Sequence, residues 1–299
     1  MPTWDEILKE SENYNPLMLV DKYLSRVTEY TGKTTICYFS SFTIGKENIP
    51  NQTFLSIVDQ DIQGFMTCSK DTNKEELNLI LHTPGGDYEA TKRIINYLIN
   101  TYKKISVFVP HLALSGGTLI ACAADEIYMG PYSNLGPTDP QVFIESKLIP
   151  AGAIVNEFQR AFMEVKQDPN KAILWAKRIE KVPLGLIDSL EIMIKNSEKY
   201  LVDLLSHKNC RGKNRKTIKK IAKKLNTHSH HSSHGRGISL EEAQKLGLNV
   251  RDLRKDKELE DRVLSVYHAI TILFQRTPVT KIIANNLGKH FIMQVPPKV

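Results

Sequence analysis

The chain has 299 residues, 41% of them hydrophobic and 24% charged, with a formal net charge of +7 at pH 7. That length suits one large domain or two small ones, with a core that needs no disulfide staples. The balance excludes disordered, collagenous and disulfide-rich classes, and no apolar run approaches the roughly 20 residues that span a bilayer. The four cysteines, Cys37, Cys68, Cys122 and Cys210, are widely spaced and form no CxxC pair. Free thiols in a reducing compartment follow, rather than zinc or disulfides. The N-terminus, MPTWDEILKE, is acidic and amphipathic, unlike a secretory signal. A cytoplasmic location is expected, with peripheral contact to the inner face of a membrane left open.

In chain order, residues 3–30 read as helical, with a break at Pro16. TTICYFSSF, from Thr34 to Phe42, reads as a strand. Residues 53–69 fit an amphipathic helix. LNLILH, from Leu77 to His82, is a short apolar strand, and Asp87 to Tyr102 a helix with Ile94, Ile95, Leu98 and Ile99 inward. Ile105 to Val109 is another buried-type strand, Ser115 to Ala124 a helix and Glu126 to Met129 a strand. Alternation of this kind predicts βαβ units and a mostly parallel sheet, covered on both faces. Residues 153–166 and 184–206 read as helical. Ser239 and Glu242 form a capping box with Gly247 as the stop. Residues 256–275 are a further helix, and the tail with Pro296 and Pro297 is expected to be loose.

Lys208 to Lys224 holds nine Lys and Arg and no acid. Such a run is a solvated helix face or a patch for nucleic acid or anionic lipid. Without interleaved aromatics the solvated face is preferred, and nucleic acid is not expected as a partner.

Two glycine-rich turns carry the chemistry. Thr83-Pro84-Gly85-Gly86 follows LNLILH, and Leu114-Ser115-Gly116-Gly117 follows ISVFVPHLA. In open α/β sheets, sites form beyond the carboxyl ends of strands, so both turns lie on one edge. Glycines expose backbone N–H groups, and a helix N-terminus adds a positive dipole. Together they can build an oxyanion hole beside Ser115. The same serine would also suit a plain N-cap. The second turn is not a GxSxG elbow, since Ala113 fills the first glycine position, and no Walker-type phosphate loop is present. His82 and His111 flank the turns; each would orient a loop, contact substrate or pack at a strand end. The run HSHHSSH, from His228 to His234, matches no standard zinc spacing and reads as a solvated loop.

The motifs LHTPGG, VPHLALSGGT, AADEI and MGPYSNLGPTDPQ resemble the ClpP/crotonase superfamily. Within it they resemble signal peptide peptidase A-like serine peptidases, and more closely the serine dehydrogenase proteinase family. HGRGISLEEAQKLGLNV is similar to the helix that closes the core in these proteins. The resemblance covers about residues 34–250. It implies a ClpP/crotonase-like spiral α/β fold with a mostly parallel sheet and flanking helices. The expected division is an N-terminal helical segment at 1–33, a catalytic domain at 34–250 and a C-terminal helix and tail at 251–299, with the basic and polar stretch at 207–237 read from its composition as a mobile insertion.

By the same resemblance, Ser115 matches the nucleophile, and the N–H groups of Gly116 and of Gly85 or Gly86 match the oxyanion hole. The reaction implied is peptide-bond hydrolysis through an acyl-enzyme, without cofactor or metal, on polypeptide substrates and within a homo-oligomer. The base departs from the family patterns. Where Clp proteases carry a histidine, the loop SNLGPTDP offers Asp139, which would equally suit a turn before Pro140. Where signal peptide peptidases carry a lysine, Lys166 and Lys171 lie in the region. If the acid and base roles are exchanged, His234 would serve as base and Asp139 as its orienting acid, since triads are defined by geometry and not by chain order. A Ser115–Lys166 dyad is the other arrangement. The rival functions are a crotonase-type acyl-thioester enzyme and a silent scaffold with a basic binding segment.

Overall fold

The computed structural model describes residues 4–45, 49, 54–144, 147–180, 182–226 and 237–295. Helix α1 (Trp4–Asn13) leads into α2 (Pro16–Thr31). Pro16 does not simply break the run; it is the first residue of α2, where its missing N–H costs nothing. Asn15 caps that helix and Gly32 ends it in the left-handed region. Strand β1 (Thr34–Ser40), α3 (Asp61–Ser69), β2 (Glu76–His82), α4 (Tyr88–Thr101) and β3 (Lys104–Val109) follow. The short β4 (Leu112–Ala113) precedes α5 (Gly116–Cys122), β5 (Glu126–Met129) and β6 (Asn134–Leu135).

Next come an antiparallel pair, β7 (Gln141–Ile144) and β8 (Lys147–Pro150), and the helices α6 (Ala151–Gln167), α7 (Ala172–Ile179) and α8 (Leu186–His207). Then α9 (Arg215–Leu225), α10 (Leu240–Leu246), β9 (Val250–Asp252), α11 (Lys257–Arg276), β10 (Val279–Asn285) and β11 (His290–Gln294) complete the described chain.

The main sheet runs in the order β11-β10-β1-β2-β3-β5-β9. The five strands from β1 to β9 are parallel, and β10 and β11 join antiparallel at one edge. The fold is thus α/β with a mostly parallel sheet, as expected. β1 is buried at every position because helices cover both faces. Ile36 and Tyr38 pack with α3, α4 and α5 on one side, while Cys37 and Phe39 pack with α2 and α11 on the other. The four cysteines are all free and buried.

Three expectations need correction. Residues 55–60 are not helical; the α-helix is confined to Asp61–Ser69, because Ile57 in the preceding stretch pairs with the first glycine turn. The part of the expected loose tail that follows α11 is a hairpin, β10–β11, whose first strand is buried throughout; Pro296 and Pro297 lie outside the described residues. The expected insertion at 207–237 is in part core: α9 buries Ile218, Ile221, Ala222 and Leu225. Its cations Arg215, Lys216, Lys219, Lys220 and Lys223 lie on the exposed face, the solvated arrangement of an amphipathic helix. Residues 227–236 lie outside the described residues. The capping box of Ser239 and Glu242 is present on α10. Among the described residues, no helix is long and apolar enough to cross a membrane.

Candidate active site

β2 and β3 end side by side, so the two glycine turns leave the same edge of the sheet. Beyond β2 the pairing continues through the loops. Thr83 N–H donates to Leu112 O at 3.0 Å, and Leu114 N–H donates to Thr83 O at 3.0 Å. This short ladder brings Gly85 against Ser115. Gly85 has φ +92°, and a Cβ there would lie 2.7 Å from Leu114 O and from Ser115 Cβ. Only glycine fits that approach.

Ser115 itself has φ +49° and ψ −113°. A left-handed φ on a non-glycine residue costs on the order of 1–3 kcal/mol and persists only where the surroundings impose it. Ser115 precedes α5 at the N-cap, yet its side chain makes no capping bond. The plain N-cap alternative is therefore set aside. Its hydroxyl makes no hydrogen bond with any described residue.

The backbone donors divide cleanly. Gly85 N–H donates to Thr83 Oγ1 at 3.2 Å, and Gly117 N–H to Leu114 O at 2.7 Å. Gly86 and Gly116 N–H have no partner among the described residues. Gly86 lies beside Ile57, which donates to Gly85 O at 2.8 Å and accepts from Asp87 N–H at 2.9 Å. Neighbouring backbone groups alternate between strand edges, so Gly86 N–H points away from Ile57.

A third turn, absent from the residue-based expectation of the site, closes the arrangement. The Thr118 hydroxyl, buried in α5, lies 2.8 Å from Ala113 O and 2.9 Å from both O and N of Gly136. It thereby pins the SNLGP loop to the turn, with the backbone of Gly136 against Leu114 and Ser115. The sequence signal for this loop is the glycine of SNLGP itself.

His82 is buried at 2% exposure and stacks on His111 with ring centroids 5.5 Å apart. Phe42 and Tyr267 cover it further. Leu112 N–H donates to its Nδ1 at 3.3 Å, which leaves the proton on Nε2, facing Thr43 Oγ1 at 3.3 Å. Burial, and secondarily the neighbouring His111, holds its pKa down to about 3. His82 is thus a neutral strap between the two strand ends. His111 is half-buried, bonded through Nδ1 to Tyr267 OH at 3.1 Å, and burial lowers its pKa. Neither ring shares a hydrogen bond with Ser115.

Asp139 is buried, in a loop held by Thr138 N–H on Leu225 O (2.9 Å) and by Ala151 N–H on Pro140 O (2.9 Å). It shares no hydrogen bond with Ser115 and lines a cavity of about 410 Å³ with Asn156, Gln159, Glu191, Lys195 and Asn226. Lys166 is exposed in the last turn of α6. A helical rise of 1.5 Å per residue puts it about 22 Å along the axis from Ala151. His234 lies outside the described residues. The nearest described stretch, Gly237–Ile238, pairs with Leu135 through bonds of 2.7 and 3.0 Å, beside the Gly136 loop.

Known proteins are similar to this chain in two ways. It is 30% identical over 204 residues to the uncharacterized protein MJ1495 of Methanocaldococcus jannaschii, covering 68% of this chain and 61% of that one. It is 31% identical over 210 residues to MJ0137 of the same organism, covering 70% and 64%. The chain thus spans less than two thirds of the length of these curated relatives. Among solved structures, a mutant of the membrane-bound stomatin-specific protease 1510-N gives a TM-score of 0.41 at 19% identity, over 69% of this chain and 79% of that one. A ClpP1 mutant from Listeria monocytogenes gives 0.34 at 15% identity, over 68% and 90%. No feature of the site rests on these two likenesses. The family model of the ClpP-like SDH-type serine proteinases matches residues 22–282, and the chain belongs to that family.

Proposed function

We propose that this chain hydrolyses peptide bonds through a Ser115 acyl-enzyme. The observation that carries this is the strained, uncapped Ser115 beside two N–H groups that have no partner among the described residues. Ser115 Oγ attacks the scissile carbonyl carbon and passes its proton to a base. The carbonyl oxygen becomes an oxyanion held by Gly86 N–H and Gly116 N–H, each donor worth about 3–4 kcal/mol. Gly85 has its N–H committed to Thr83 and shapes the turn instead. Collapse breaks the C–N bond, and the base returns the proton to the departing amine. Water then adds to the ester carbonyl, and the second collapse restores Ser115.

Of the two bases, His234 is preferred. It stands three Cα–Cα steps before Gly237, at most about 11 Å of chain, and Gly237 adjoins the Leu135–Ile238 pairing beside the Gly136 loop. Lys166 sits at the exposed far end of α6. Asp139, as the acid of that loop, would orient the imidazole. The test is fluorophosphonate labelling together with peptide hydrolysis. Labelling should vanish in Ser115→Ala, fall sharply in His234→Ala and stay unchanged in Lys166→Ala. A labelled His234→Ala protein and an unlabelled Lys166→Ala protein would assign the dyad instead. No labelling of the wild type, with turnover of an acyl-thioester, would favour the crotonase-type chemistry.

Self-association belongs to the same proposal. The β7–β8 pair and α6 to α8 bury only Ala151, Val155 and Leu190 in a core of their own. Phe143, Phe162, Ile173, Leu174 and Leu184 stand exposed there. Exposed large apolar side chains concentrated in one region of a chain mark an association surface, and a second copy of the chain is its proposed partner. The four free, buried thiols support a reducing compartment.

A further inference from the structure

A lysine and an aspartate are both removed from water on the sheet edge that leads to the first glycine turn. Lys281 of β10 is 1% exposed, and Asp61 at the start of α3 is 0% exposed. Lys281 Nζ donates to Asp61 Oδ1 at 2.9 Å, to Asp61 Oδ2 at 3.0 Å and to Ser56 O at 2.6 Å. Asp61 Oδ2 also accepts from Tyr38 OH at 2.8 Å and from Val58 N–H at 3.0 Å. All three ammonium hydrogens therefore have acceptors, and the carboxylate has donors from three elements. Burial lowers the lysine pKa, and the adjacent carboxylate opposes that shift.

A buried pair of this kind is poor value for stability alone, because desolvation offsets the attraction. Its position suggests another use. The bonds fall on the segment that holds the glycine turn. Leu55 O accepts from Ser40 Oγ at 2.5 Å, Ser56 O is held by Lys281, and Val58 N–H is held by Asp61. Between them sits Ile57, which bonds Gly85 O and Asp87 N–H and lies close to Gly116 through its Cδ1. A Cβ on Gly86 would lie 2.3 Å from Ile57 N and O, so a shift of Ile57 is passed directly to Gly86.

We propose that Lys281 is a positioning residue, which through Ser56, Asp61 and Ile57 fixes the direction of the Gly86 and Gly116 N–H groups. The inference rests on the assignment of Ser115 and its oxyanion donors. Lys281 acts on the rate of acylation and not on substrate affinity.

The test compares Lys281→Met with the double variant Lys281→Met/Asp61→Asn. The single variant strands a buried carboxylate and should lose thermal stability. The double variant removes both charges and keeps an acceptor for Val58, so its Tm should return to within about 4 °C of the wild type. Its Ser115 acylation rate should nonetheless stay about 100-fold low, with KM for a peptide within threefold of the wild type. A folded double variant that acylates at the wild-type rate overturns the inference. An equal fall in rate and affinity also overturns it. If the double variant does not fold, Tyr38→Phe decides, since it frees one side of Asp61 at small cost. Acylation should then fall about tenfold at unchanged Tm, and an unchanged rate overturns the inference. Failure of the wild type to label at Ser115 removes the peptidase reading and this inference together. Normal labelling of the wild type and of a folded double variant removes only this inference.

Discussion

The Ser115 region and the α6–α8 arm are built in opposite ways. Around Ser115, three turns interlock through backbone bonds, and α5 is buried from Gly116 to Cys122. In the arm, α7 buries no residue at all, and Ile173 and Leu174 are each 76% exposed. The first region is finished within one chain and even holds a strained residue. The second leaves large apolar side chains exposed. The same sequence thus separates the demands of geometry from those of association, and substitutions in the two regions should read out differently.

The largest effect is expected at Ser115. Ser115→Ala should lower peptide hydrolysis by about 10⁴–10⁶-fold, with little change in Tm. Ser115→Gly should abolish activity equally and raise stability by about 1 kcal/mol, because glycine relieves the left-handed φ. A Ser115→Gly variant less stable than Ser115→Ala in urea unfolding would break the strain argument.

Gly85→Ala comes next. Its methyl meets Leu114 O and Ser115 Cβ at 2.7 Å, so the turn must open. Acylation should fall by about 10²–10³-fold, and stability by about 1–3 kcal/mol. Near-normal acylation would show that the ladder beyond β2 tolerates movement.

The third effect is a pH dependence. Folded His82 protonates only near pH 3, whereas an unfolded histidine does so near its ordinary value of 6.5. Between these values the unfolded chain binds more protons, so stability rises with pH across that window. Acidification from pH 6.5 to 4.5 should cost about 2 kcal/mol through this residue. His111 and His268, both lowered by burial, act in the same direction. His82→Gln keeps an acceptor for Leu112 and should flatten the Tm-versus-pH curve in that range. An equally steep curve would place the dependence elsewhere.

The smallest effect on folding is expected in the arm. Ile173→Glu/Leu174→Glu should change the folding stability by no more than about 0.5 kcal/mol. It should still shift the mass measured by light scattering toward the monomer. An unchanged oligomer would sharpen the comparison by moving the interface off the arm.

Much of this molecule is legible where its order is local. The parallel strands, both glycine turns and the Ser115 position follow from short apolar runs broken by Gly and Pro. The members that arrive from far along the chain are not legible in that way. Ile57 reads as part of a helix because its neighbours are apolar at helical spacing, and its pairing with Gly86 depends on the closed sheet. β10 lies beyond the last predicted helix, in a stretch where Lys281 interrupts the apolar run VTKIIAN with a charge. That lysine is buried only because Asp61 and Ser56 meet it there. The interruption was itself the signal, since an isolated cation inside an apolar run asks for a buried partner. Thr118 and Gly136 lie in the SGGT and SNLGP motifs, but their shared bond is visible only in three dimensions.

The place of β10 has a consequence for biosynthesis. β1 is among the first strands to be made, and its edge stays open until β10 pairs with it. Ser115 and both glycine turns leave the ribosome well before Lys281. Contacts this distant in sequence form late. If Ser115 and Lys281 act as proposed, a chain halted short of residue 279 would carry the nucleophile without the brace for its glycine turn. The order of synthesis would then act as a safety catch, with hydrolytic competence arriving after the rest of the fold is in place.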